Sequence, residues 1–265
     1  MERSNLFYRV VTSLVLIPIA LLIIFKANIY VVFGLLYVIM VGSVLEFAKI
    51  VKVEGVEKVF LLLTSTMTLL YTSFSQTDYT VYFALLFIIV AIFSLFLFGY
   101  RNYVERVGKH LFCNLYIPFL LSFSFKLINL DKGRYWLFFL LVVNWLTDSS
   151  AYLFGTKFGK HKLTQISPKK SVEGLLGGIL GAVVAGLLTN ALLFQSEKWV
   201  YFVLISFSGA ILGQIGDLVE SGIKRSEGIK DSGSIIPGHG GFLDRFDSLI
   251  FTGPLFYIFA TLGVI

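Results

Sequence analysis

Nine apolar runs follow one another through almost the whole chain, at about residues 8–25, 28–48, 59–76, 79–99, 110–128, 134–154, 174–194, 199–221 and 248–265. A helix that crosses the hydrocarbon of a bilayer needs about 20 predominantly apolar residues, because every backbone amide must be satisfied within the segment where no water is available. The runs reach that length in succession and leave too little chain between them for a separate water-soluble domain. The sequence therefore predicts an all-α, polytopic integral membrane protein with about nine transmembrane helices. Composition agrees: 57% of the residues are hydrophobic and only 14% charged, against about 25% charged in an ordinary globular domain. The first run lacks a small-residue cleavage site and a second run follows it at once, so it reads as a retained span rather than a signal peptide.

Basic residues sort to the cytoplasmic ends of short membrane loops. With the N-terminus in the cytoplasm, only Lys26, Lys126, Lys132, Arg134 and Lys198 of the 22 basic residues fall on the other side. That orientation places both long polar loops, about residues 155–173 and 222–247, on the side where nucleotides are found. The formal charge of +6 is accounted for by topology and by attraction to anionic lipid, and no nucleic-acid partner is expected. Cys113 is the sole cysteine, which excludes an internal disulfide, and its apolar run marks it as a buried, inert thiol. No internal repeat is visible.

Polarity divides the chain in two. Residues 1–133 carry almost no polar side chains within their spans beyond hydroxyls, apart from Glu46, and read as a scaffold for lipid contact and a possible dimer interface. Chemistry begins in residues 134–265, the expected catalytic region. Asn144, Asp148 and Tyr152 recur every four residues and so share one helical face. A carboxylate deep in a span costs about 2.5–3.5 kcal/mol on insertion scales, so Asp148 is expected to face protein or water. In the loop that follows, Gly155-x3-Gly159-Lys160-His161 has one residue too few between its glycines and no hydroxyl after the lysine, which rules out a Walker phosphate loop. The segment Ser167-Pro168-Lys169-Lys170-Ser171 is more informative. Ser171 or Ser167 can cap the next helix, and two lysines beside a helix N-terminus make an anion site. Small residues at Gly174-x3-Gly178, Gly177-x3-Gly181 and Gly209-x3-Gly213 allow close helix packing. Gln214, Asp217, Glu220, Ser221 and Lys224 then form one polar stripe, open either to an ion pair from Asp217 to Lys224 or Arg225 or to metal ligation by Asp217.

The densest polar stretch is Ser221 to Asp247, SGIKRSEGIKDSGSIIPGHGGFLDRFD, lying between two apolar runs. Its lysines and arginines suit phosphate oxygens, its carboxylates suit a hard divalent cation, and Gly238-His239-Gly240-Gly241 lets backbone approach a ligand closely. An anionic ligand with a metal ion is the natural reading. Ser221, Lys224-Arg225, Lys230-Asp231, Gly233, Pro237, His239-Gly240-Gly241, Asp244-Arg245 and Asp247 resemble, at every spacing, the pattern of the phosphatidate cytidylyltransferase (CDP-diacylglycerol synthase) family. The Ser167 to Ser171 segment is similar to the same family.

The resemblance implies an enzyme that joins phosphatidate to the cytidylyl group of CTP, releasing pyrophosphate, in the cell (inner) membrane with its active site facing the cytoplasm. It implies Mg²⁺ on Asp217 and Asp244, with Asp247, and room for a second metal or a monovalent cation. Catalytic roles would fall to Asp217, Asp244, Asp247, Lys224 and Arg225. Substrate contacts would come from Asp148, Lys169, Lys170, Ser171, Ser221, Lys230, Asp231, His239, Gly240, Gly241 and Arg245. It also implies a homodimer. An ion-coupled transporter that titrates Asp148, Asp217 and Glu220 is the alternative, weakened by the lack of a repeated half. The spaced aspartates of CDP-alcohol phosphotransferases are absent from the sequence.

Overall fold

The computed structural model describes residues 18–75, 78–229 and 241–262. Among them the regular structure is helical, apart from one isolated antiparallel bridge between Lys162 and Ser171. Helix α1 (residues 18–26) leads through Asn28, whose side chain accepts from the Tyr30 amide at 2.6 Å, into α2 (Ile29–Ile50). Helices α3 (Gly55–Phe74) and α4 (Tyr79–Phe98) follow, the second capped by Asp78 and ended by Gly99 at a φ of 70°. Next, α5 (Tyr103–Asn114) runs through a π-helical turn, Leu115–Phe119, into α6 (Leu120–Ile128). Pro118 sits in that turn, where its missing amide hydrogen is absorbed by the wider helical spacing. Helices α7 (Gly133–Phe158), α8 (Val172–Thr189), α9 (Trp199–Ser226) and α10 (Leu243–Thr261) complete the bundle.

Six of these helical segments are long and apolar enough to cross a bilayer: Ile29–Ile50, Tyr79–Phe98, Tyr103–Ile128, Gly133–Phe158, Val172–Phe194 and Trp199–Ser226. They make this a multi-pass membrane protein. Helix α3 is not among them; it carries Glu57 and Lys58 near its start and buries Thr64, Ser65, Thr68, Thr72 and Ser73. The Thr68 hydroxyl donates to Asn114 Oδ1 of α5 at 2.8 Å, a polar contact inside the bundle. In α10 the first two turns carry Asp244, Arg245 and Asp247. Several helices outrun the apolar segments that announce them. The apolar stretch ending near residue 221 continues as helix to Ser226, and the one ending near 154 continues to Phe158. Hydrophobicity reports what sits in lipid, whereas backbone hydrogen bonding carries the helix on into the polar region.

The most extensive helix contact is α7 on α8, and glycine makes it possible. A Cβ on Gly178 would stand 3.1 Å from the Thr147 carbonyl oxygen, and one on Gly174 would stand 2.9 Å from that of Ala151. Helix α9 uses Gly209 against Phe256 and Val143, and Gly213 against Asn144, Ser248 and Thr252, which seats it between α7 and α10. These small residues therefore serve contacts within one chain and lend no support to a dimer.

Candidate active site

The α7–α8 connection is a folded loop. The Leu163 amide donates to the Lys170 carbonyl and the Val172 amide to that of His161, both at 2.9 Å. Glu173, in the first turn of α8, accepts from the amides of Lys160 (3.1 Å) and His161 (3.3 Å) and meets His161 Nδ1 at 2.6 Å. Ser171, rather than Ser167, caps α8, accepting from the Gly174 amide at 3.0 Å. This bracing holds Lys169 and Lys170 at the edge of a cavity of about 1430 Å³.

The cavity has two characters. Its polar lining comes from Asp148, Lys169, Lys170, Ser171, Gln214, Asp217, Asp244, Arg245 and Asp247. Its apolar lining includes side chains of α1 and α2, among them Ile19, Ile23, Leu35, Leu36 and Ile39. Asn144, Asp148 and Tyr152 all line it, as their shared helical face predicts.

Ion pairs organise the polar residues. Lys170 Nζ lies 2.8 Å from Asp217 Oδ2 and donates to Gln214 Oε1 at 2.9 Å, while Ser221 donates to Asp217 Oδ1 at 3.3 Å. Lys224 Nζ is 2.5 Å from Glu220 Oε2 and 2.5 Å from Asp244 Oδ1, so it bridges α9 to α10. The sequence left Asp217 open to pairing with Lys224 or Arg225; in the structure its partner is Lys170. Asp244 Oδ2 accepts from the Gly241 amide at 3.3 Å. Arg225 points to the carbonyls of Ile166 (3.5 Å) and Ile229 (3.0 Å), tying the end of α9 to the α7–α8 loop. Ser221, Lys224 and Arg225 are not among the described residues that line the cavity. Lys230, Asp231, His239 and Gly240 lie outside the described residues.

Asp247 differs from its neighbours. It is only 7% exposed, lines the cavity, accepts from the Ser248 amide at 2.6 Å, and pairs with no basic side chain among the described residues. A buried carboxylate without a counter-charge is costly, and a bound cation removes that cost. Among the described residues no three acidic, histidine or cysteine side chains form a ready-made cage for a metal. Mg²⁺ does not require one, since it is usually held by one or two carboxylates with phosphate oxygens and water completing its shell. The oxygen donors of Asp217, Asp244 and Asp247 fit that ion.

Two residues that sequence reasoning left out of the site belong to its frame. Gln214 lies three residues before Asp217 on the polar stripe, and that spacing was the available signal. Glu46 of α2 accepts from the amides of Phe242 (2.9 Å) and Leu243 (2.8 Å) at the start of α10, and no local pattern announces a contact across that separation.

Comparison with known proteins adds the family. Over 160 residues the chain is 42% identical to the phosphatidate cytidylyltransferase of Bacillus subtilis (strain 168), covering 60% of each protein. It is 43% identical over 150 residues to the phosphatidate cytidylyltransferase of Staphylococcus saprophyticus, covering 56% of this chain and 57% of that one. The protein of the same name in Staphylococcus aureus (strain COL) is 41% identical over 150 residues. The matched region spans about 60% of the length of the first of these relatives. A model of the cytidylyltransferase family matches residues 7–262, nearly end to end, and on that match this chain belongs to the cytidylyltransferase family.

Proposed function

We propose that this chain is a CTP:phosphatidate cytidylyltransferase of phospholipid biosynthesis. The observation that carries the reading is a single cavity whose lining joins lysine, arginine and carboxylate side chains to apolar side chains of α1 and α2. A lipid phosphate and a nucleotide triphosphate suit the charged lining, and acyl chains suit the apolar lining. The names of the relatives support the choice of phosphatidate and CTP.

In the reaction an oxygen of the phosphatidate phosphate bonds to the α-phosphorus of CTP. The bond from that phosphorus to the β-phosphate bridge breaks, and its electron pair leaves with pyrophosphate. A phosphate monoester is already a competent nucleophile at neutral pH, so no covalent enzyme intermediate is needed. The protein's task is to bring two anions together and hold them in line. Lys169, Lys170 and Arg245 bind phosphate oxygens at the cavity edge. Lys224 fixes the Asp244 carboxylate, Ser221 steadies Asp217, and Arg225 secures the loop that carries the two lysines. Lys230, Asp231, His239, Gly240 and Gly241 contribute further substrate contacts, and Asp148 borders the headgroup. Asp217, Asp244 and Asp247 would hold Mg²⁺, which when bound offsets charge on the triphosphate and on the departing pyrophosphate. In this reading residues 134–265 carry the chemistry and 1–133 the scaffold and lipid contact. The site faces the cytoplasm from the inner membrane, with the N-terminus on the same side.

The test is incorporation of radiolabelled CTP into phosphatidate by the purified full chain, with and without Mg²⁺. Label in CDP-diacylglycerol that requires Mg²⁺ is expected; no label with Mg²⁺ present refutes the reading. Asp244→Asn is expected to fold and to lose nearly all transfer, and a wild-type rate in that variant would remove Asp244 from the metal site.

A further inference from the structure

Helix α10 starts without a cap of its own. Phe242 occupies the N-cap position and offers no side-chain acceptor, although the first amides of any helix lack an intrahelical partner. The acceptor comes from α2. Both carboxylate oxygens of Glu46 are used, Oε1 on the Phe242 amide at 2.9 Å and Oε2 on the Leu243 amide at 2.8 Å, from 196 and 197 residues away in the chain. Glu46 is 2% exposed. One turn earlier on the same helix stands Gly42, where a Cβ would come within 2.6 Å of the Phe242 ring. Helix α2 thus supplies both the space for that ring and the acceptor for its amide.

We propose that Glu46 is a positioning residue for the reaction: its carboxylate sets the placement of the first turn of α10, and through it Asp244, Arg245 and Asp247. The inference rests on the assigned reaction. Asp244 directly follows the clasped Leu243, and its Oδ2 accepts from the Gly241 amide at 3.3 Å. The three amides of Gly241, Phe242 and Leu243 are therefore divided between a carboxylate of the site and the one on α2. A charged acceptor makes the stronger bond and suits the positive end of the helix dipole. Simple capping needs only a serine or aspartate at position 242. A carboxylate delivered from α2 does more, because it fixes α10 relative to the helix whose Leu35, Leu36 and Ile39 line the same cavity.

Glu46→Gln tests the clasp in the full-length protein, since the amide keeps shape but offers one acceptor oxygen in place of two. Two measurements are needed. In amide hydrogen exchange, Phe242 and Leu243 are expected to be protected in the wild type and to exchange about tenfold faster or more in Glu46→Gln, with α7 unchanged. In CTP incorporation, kcat is expected to fall about tenfold or more in a variant whose α7 exchange is unchanged, because the placement of Asp244, Arg245 and Asp247 in the transition state is lost. A folded Glu46→Gln with wild-type kcat overturns the proposal. So does wild-type exchange at Phe242 and Leu243 as fast as in an uncapped first turn, a result that does not depend on how the variant folds. A wild-type chain that fails to label phosphatidate strikes the assigned reaction instead, and the exchange measurement alone then decides whether the clasp exists.

Discussion

At the scale of single residues, Lys224 carries two carboxylates at once. Glu220 is 1% exposed, and its Oε1 has no hydrogen-bond partner among the described residues, so its ionised form depends on Lys224 Nζ at 2.5 Å from the other oxygen. Removing one partner of a buried ion pair costs about 3–5 kcal/mol, far more than an exposed pair contributes. Lys224→Met is therefore expected to lower thermal stability sharply. Adding Glu220→Gln removes the stranded charge and is expected to restore most of that loss. Transfer activity is expected to stay low in the double variant, because Asp244 still lacks the ammonium that orients it. Thermal unfolding and CTP incorporation on the same samples check this, and a double variant with wild-type turnover would mean that Lys224 serves stability alone.

At the scale of elements, the close approach of α7 and α8 decides where the Lys169–Lys170 loop can stand. Gly178 faces backbone, with the Thr147 carbonyl 3.1 Å from a hypothetical Cβ and the Ala151 Cβ at 3.2 Å, so the neighbour has little room to yield. Gly178→Val is expected to destabilise by about 1–3 kcal/mol, as overpacking does. Turnover is expected to fall with it as the helices separate and the loop between them shifts. Gly34 of α2 provides the contrast, because a Cβ there meets nothing within 4 Å. Gly34→Ala is expected to leave activity intact and, by helix propensity, to stabilise by up to about 1 kcal/mol. If both variants behave alike in thermal unfolding, helix contact is not what these glycines provide.

At the scale of the whole molecule, the cavity joins the two parts of the chain. Its charged lining comes from α7, α9, α10 and the α7–α8 loop, while α1 and α2 supply much of the apolar lining. A phosphatidate analogue with a photoactivatable group near the end of an acyl chain is expected to label α1 and α2 around Ile19, Ile23, Leu35 and Leu36. Mass spectrometry of the crosslinked peptides reads the result. Labels confined to residues 159–171 would place the tails elsewhere and remove the lipid role of this wall.

What the sequence alone determined is whatever local pattern carries: apolar runs of spanning length for the helices, a four-residue spacing for the face of Asn144, Asp148 and Tyr152, and a dense set of charges and glycines for the family. Only the tertiary structure decided which charges pair. Lys170 reaches Asp217 across 47 positions, Lys224 takes Asp244 as well as its helical neighbour Glu220, and Glu46 crosses the bundle to the start of α10. The physical reason is that hydrophobicity and helix periodicity act over a few residues at a time. A buried charge instead takes the partner that helix packing brings within hydrogen-bonding distance, and no stretch of sequence records that distance.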